Sequence, residues 1–313
     1  MESKGTIFLV LGVFILIGLS FQPLKENLDK QRQNNSFNNN QSSIGSSNNT
    51  NYYSETDASS QIIEVENKIK KLEEDLDKKI EESKRSPYYG KIDLSWTVGI
   101  GSDDPNREYI ALYTYLENNE KVNITGWYLK SEVTGYYAVI GKASLLPFPF
   151  TKTESNIVLQ KGDRAYITKG FSPIGISFRT NMCTGYFEEN TEFIPGLELA
   201  CPRAIEEDLP TFSSVYDRND ECIRIIENIP RCKTRNGQFF RDLPDTVPSS
   251  CRSYIETNVN YNACVAKHFG DTKFPGNEYR IYLNKFGPLW RTSREKINLH
   301  DSSGLIVDTI TIY

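Results

Sequence analysis

Six cysteines and two histidines are the residues of this 313-residue chain whose types lend themselves to chemistry. The cysteines are Cys183, Cys201, Cys222, Cys232, Cys251 and Cys264, and none lies in the upstream half. No two of them show C-x2-C spacing, so a zinc site has little support. An even number confined to one region reads instead as a disulfide framework of an oxidising compartment. Cys222 and Cys232 bracket "IRIIENIPR", and Cys251 and Cys264 bracket "RSYIETNVNYNA". Both are helical candidates, with Ile223 and Ile226, then Tyr254 and Val259, at apolar spacing. Two antiparallel helices would join the outer cysteines, Cys222–Cys264, and the inner ones, Cys232–Cys251, leaving Cys183–Cys201 as a loop staple. The sequential pairing of Cys222 with Cys232 and of Cys251 with Cys264 is the alternative. Each bridge adds on the order of 2–4 kcal/mol, which suits a segment too small for its own core.

His268 and His300 alone titrate near neutrality when unperturbed. His300 precedes Asp301 in an expected turn, as a solvated residue; His268 ends a candidate helix, where it suits the helix dipole. Ser302 and Ser303 lie near His300, but a turn tip rarely holds a triad. The chain has no G-x-S-x-G elbow, H-E-x-x-H helix or phosphate-binding loop. No catalytic, metal or cofactor site is therefore expected. Asp103 and Asp104, in "GSDDPNRE", read as a polar turn. The most distinctive surface candidate is "RCKTRNGQFFR", where Arg231, Lys233, Arg235 and Arg241 fall together with no acid among them. Such a loop would engage a polyanion, with Phe239 and Phe240 as stacking elements, or sit solvated over the bridges with its Phe pair packed beneath.

The elements that must position these residues follow from composition. A net charge of −5 argues against a nucleic-acid partner, and a mean hydropathy of −0.50 excludes a multi-span membrane protein. Thr6 to Phe21 is an uncharged apolar run of sixteen residues. As a helix it spans roughly 24 Å, short of the ~30 Å hydrocarbon core. Residues 1–22 thus read as a signal anchor or a signal peptide, with Gly18 and Ser20 placed for cleavage. Lys25, Lys30 and Arg32 beyond the run give no support to an N-inside orientation; the cysteines place the body outside. Residues 23–60, rich in Asn, Ser and Gln, read as a disordered tether. Asn34, Asn48 and Asn123 sit in glycosylation triplets. Residues 61–86 read as a charged helical stalk. Ile62, Val65, Ile69, Leu72 and Leu76 alternate three and four apart, a coiled-coil-like seam that fails at Lys79 and Ser83. Weak self-association and packing against the following domain both fit.

From Tyr88 the pattern becomes short alternating apolar runs between turn residues, the sign of a β-sandwich. Gly162-Asp163 signals a hairpin between the flanking strands, and Asp301–Gly304 a closing hairpin. Trp127 reads as a core anchor, and "LLPFPF" (Leu145–Phe150) as a loop with partly exposed hydrophobes. The stretch "REYIALYTYLENNEKVNITGWYLKS" resembles the lamin-tail domain through Glu108, Ile110 and Leu112 of one strand and Gly126, Trp127 and Leu129 of the next. "NIVLQKGDRAYIT" resembles its middle hairpin, and "REKINLHDSSGLIVDTITIY" its final one, with Asp301 and Gly304 at the turn. With the N-terminal apolar segment, the likeness is to lamin-tail proteins of bacterial surfaces. The resemblance implies a mainly β, immunoglobulin-like sandwich over residues 87–313. The cysteine region, about 183–272, is a disulfide-stapled helical insertion that the family pattern does not require. It further implies a non-catalytic binding, adhesion or scaffolding role at the cell envelope, toward an envelope polymer or protein. A secreted hydrolase, or an accessory module of one, is the alternative.

Overall fold

The computed structural model describes residues 55–147, 153–189, 191–209, 219–235 and 237–313. The apolar segment 1–22, the tether up to residue 54 with Asn34 and Asn48, and Phe148–Phe150 lie outside the described residues. The chain divides into two compact units, residues 1–69 and 70–313.

Helix α1 runs Glu55–Ser83. Glu and Lys are good helix formers, and the segment holds neither Gly nor Pro. An i,i+4 pair, Glu64 with Lys68 at 2.7 Å, adds a few tenths of a kcal/mol. The helix starts at Glu55 rather than at residue 61, so the end of the expected tether is helical. No helix among the described residues is long and apolar enough to cross a membrane.

The body follows as β1 (Ile92–Val98), β2 (Tyr109–Thr114), β3 (Lys121–Asn123), β4 (Tyr128–Ser131), β5 (Tyr137–Val139), β6 (Val158–Gln160), β7 (Arg164–Thr168) and β8 (Phe178–Asn181). Helices α2 (Asn219–Glu227), α3 (Gly237–Asp242), α4 (Ser249–Asn258) and α5 (Tyr261–His268) come next. Strands β9 (Pro275–Tyr282), β10 (Glu295–His300) and β11 (Ile306–Ile312) complete it. One sheet has the order β1-β2-β7-β9-β8 and the other β11-β10-β4-β5, while β3 and β6 form a ribbon. All strand pairs are antiparallel except β7 with β9. Inward residues of both sheets and of the ribbon fill one apolar cluster, including Leu112, Ile167, Leu129, Leu299, Val122 and Leu159. Fully burying such a side chain contributes about 1.5–3 kcal/mol. Trp127 sits in this cluster with Tyr88 at 5.4 Å between ring centroids.

Helices α2 to α5 all fall between β8 and β9, as an insertion with an apolar cluster of its own around Ile226, Ile229, Tyr254 and Ile255. The five-stranded sheet is covered on both faces, which explains why β9 is buried from Glu278 to Tyr282. Tyr279 and Ile281 enter the main cluster, whereas Tyr282 joins Phe178, Phe193 and Leu197 on the other side. Past α1 the chain joins the last strand directly. The Ile306 N–H donates to the Lys84 carbonyl and the Ser86 N–H to the Ile306 carbonyl, each at 2.8 Å.

Two expectations need correction. Gly162-Asp163 does not link paired strands: β6 pairs with β3 and β7 with β2, so the turn carries the chain from the ribbon to the large sheet. The disulfides join Cys183 to Cys264, Cys201 to Cys232 and Cys222 to Cys251, matching neither expected scheme. The two assumed helices do not exist as such. α2 stops at Glu227, leaving Cys232 in a loop at φ 56°. The second breaks at Asn260, whose side chain accepts from the Ala263 N–H at 2.9 Å, so Cys251 and Cys264 lie on different helices.

Candidate functional site

Every residue carrying the lamin-tail resemblance is structural. Ile110, Leu112, Trp127 and Leu129 are in the core cluster. Gly126 and Gly304 adopt φ 87° and 85°, which glycine takes without steric cost. Glu108 forms a buried ion pair with Lys169. The Asp301 carboxylate accepts from the Ser303 and Leu305 N–H groups at 2.8 and 3.0 Å and so closes the last hairpin.

The basic loop is less of a cationic patch than its sequence. Arg231 donates to the Cys201 carbonyl at 2.6 Å and pairs with Glu206 at 2.7 Å. Arg241 donates to Gln238 at 2.7 Å, and the Arg235 guanidinium lies over the Phe239 ring at 4.7 Å. Glu189 reaches in to accept from the Thr234 N–H at 2.8 Å. The acids missing from the local sequence are supplied by the fold. Phe239 and Phe240 belong to α3 and pack against the insertion's apolar cluster.

His300 is buried rather than solvated. Its ring stacks on Tyr128 at 4.7 Å, and its Nδ1 lies 3.1 Å from the Gly304 carbonyl. A hydrogen bond to that carbonyl is donated by Nδ1, while buried Nε2 meets no partner. His268, at the end of α5, sits between two acids: Nε2 is 2.8 Å from Glu207 and Nδ1 is 2.7 Å from Asp271. Burial opposes its charge, but the bonds and charges of both carboxylates outweigh burial and raise its pKa. Both ring nitrogens are thus engaged by carboxylates, and the ring ties the end of α5 to Glu207 and Asp271.

A polar network that the sequence reading missed lines the outer side of β7, β8 and β9. Glu278 binds both Arg164, at 2.9 Å, and buried Arg280. Arg280 also donates to the carbonyls of Pro195 and Gly196 and covers the Tyr166 ring at 4.9 Å. Beside it lies a cavity of about 160 Å³ lined by Arg164, Asn181, Glu198, Lys273, Asn277 and Glu278. It is small and mixes both signs of charge. A second groove, of about 610 Å³, separates β1 from β11.

The surface best suited to an extended ligand is an open groove of about 370 Å³ lined by Tyr136, Tyr137, Lys285, Gly287, Pro288 and Leu289. Tyr136 and Tyr137 are 60% and 61% exposed. β5, which carries Tyr137, is an edge strand of the four-stranded sheet. The β4–β5 turn is fixed to the opposite wall, because the Thr134 hydroxyl donates to the Leu289 carbonyl at 3.2 Å. Tyr137 contacts Tyr128 edge-on at 6.0 Å, and half-buried Tyr128 in turn stacks on buried His300, so the exposed ring rests on a second ring pair. An apolar face with a wet hydroxyl tip suits a polyhydroxylated ligand, and Lys285 adds one cation at the rim.

None of the three cavities is lined by His268 or His300. Among the described residues no cluster of His, Cys, Asp and Glu is arranged to hold a metal ion. No family model matches the chain, and neither a curated protein nor a solved structure matches it.

Proposed function

We propose that this protein is a non-catalytic binding protein of the cell envelope that holds an envelope polysaccharide in the Tyr136–Tyr137 groove. Residues 1–22 anchor it in the membrane, residues 23–54 act as a spacer, and the body is a lamin-tail-like immunoglobulin sandwich. Three disulfides mark an oxidising, extracytoplasmic environment for that body. The two-sheet core and the placement of Glu108, Trp127, Asp301 and Gly304 support the sandwich reading. The observation that carries the binding role is the pair of tyrosines, each about three-fifths exposed, on one wall of an open groove. Exposed aromatics held on a rigid edge make large contacts at low entropic cost. The test is co-sedimentation of the protein with insoluble cell-wall polysaccharide. Tyr136→Ala with Tyr137→Ala is expected to lower retention at least about tenfold, with the unfolding midpoint unchanged. Equal retention of the double variant overturns the assignment of the groove.

One observation favours a hydrolase as a second reading, the gathering of His268 with Glu207 and Asp271. Hydrolytic activity on the same polysaccharide that is lost in His268→Asn would establish it.

A further inference from the structure

We propose that α1 pairs with α1 of a second copy of this chain as a parallel, two-stranded coiled coil. Ile62, Val65, Ile69, Leu72, Leu76 and Ile80 of α1 are all exposed, between 39% and 67%. A helix this polar gains little stability from propensity alone and relies on packing one face. At about 100° per residue these six side chains fall within a stripe roughly 80° wide. A helix lying on a globular surface needs a stripe of about 100° or more, whereas a narrower one is the seam of a coiled coil. Ile63, also exposed, stands alone outside this stripe, and the width of the continuous seam selects another helix as the partner. Ile80 extends the seam past Lys79 by stepping four residues from Leu76, a local change of period that coiled coils absorb by unwinding slightly.

The flanking charges set the orientation. With Ile62, Ile69 and Leu76 at the first core position of each heptad, Lys68 and Glu73 occupy the flanking positions that meet across a parallel pair. Two symmetric Lys68–Glu73 attractions result. Lys68 is held by Glu64 within its own helix, but that pair is about 70% exposed and free to exchange. The antiparallel alignment with the same core layers pairs Lys68 with Asp75 but sets Glu66 against Glu73, each twice, so its attractions and repulsions offset. The central heptad, with Ile69 at the first core position and Leu72 at the second, has the pattern that favours two strands over three. The inference is independent of the polysaccharide reading. If both hold, two grooves share one stalk and binding gains avidity.

The experiment is sedimentation equilibrium of the full-length chain in detergent at tens of micromolar. A two-chain mass is expected, and Ile69→Lys with Leu72→Lys should weaken the dimer at least about 100-fold. Lysine keeps helix propensity, so α1 itself is preserved. A one-chain or three-chain mass for the wild-type protein overturns the proposal. So does a dimer that survives the double variant, because the apolar N-terminus would then be the contact. Orientation is read from Leu72→Cys: a covalent dimer on mild oxidation is the parallel outcome, and its absence in a dimeric sample excludes it.

Discussion

Glu108 and Lys169 form an ion pair whose side chains are 2% and 5% exposed. The Lys169 N–H also donates to the Glu108 carbonyl at 2.9 Å, so β2 and β7 are joined at their ends by backbone and side chain together. Removing one partner leaves an uncompensated buried charge. Glu108→Gln or Lys169→Met alone is expected to cost about 3–5 kcal/mol in urea unfolding. Glu108→Leu combined with Lys169→Met should cost markedly less than either single change, since no charge then remains buried.

The bridge between Cys183 and Cys264 spans 81 residues, against 29 for Cys222–Cys251. Loop-closure entropy assigns about 4.5 kcal/mol to the long loop and about 3.6 kcal/mol to the short one. Paired Cys→Ala variants should therefore rank Cys183/Cys264 as the more destabilising. Peptide mapping without reduction should recover the Cys183–Cys264, Cys201–Cys232 and Cys222–Cys251 links, and a Cys222–Cys264 peptide would contradict the fold of the insertion.

His268 links the end of α5 to Glu207, and its pKa lies above the ordinary imidazole value of about 6.5. A histidine raised on folding stabilises the native state in full below its unfolded value, and that contribution fades as pH rises through the folded value. The unfolding midpoint is expected to decline from about pH 6.5 upward, and His268→Asn should flatten the decline. A midpoint that rises across the same interval in the wild type alone would exclude this role.

The closing hairpin rests on Asp301 and Gly304. Asp301→Ala removes an acceptor for two N–H groups and should cost about 1–3 kcal/mol. Asp301→Asn, which keeps an oxygen in place, should recover much of this. Gly304→Ala forces a side chain onto φ 85° and should cost roughly 1–2 kcal/mol. Thermal unfolding followed by circular dichroism reads all three.

That hairpin was legible because its determinants are local: an aspartate and a glycine at fixed offsets between two alternating strands. The same holds for the strand that follows Trp127 and for the helix of residues 61–83. The cysteine pairing was not legible, because it depended on one capping residue, Asn260, that splits an apparently continuous helix. The Gly162-Asp163 turn failed for a different reason. Its local geometry is a tight turn, but partners over forty residues away decide which strands it separates: the Thr114 hydroxyl donates to the Gln160 and Asp163 carbonyls at 3.0 and 2.8 Å. The groove and the Glu278 network are likewise assemblies of distant segments. Composition showed only an abundance of tyrosine, and burial decided which of them face solvent.

The two backbone bonds that tie Lys84 and Ser86 to Ile306 also define a mechanical path. A pull along α1 meets these bonds before any part of the core. The load then passes into β11 and, through its ladder, into β10 and β4. Residues 84–86 are thus coupled directly to the four-stranded sheet, the one whose far edge carries Tyr137.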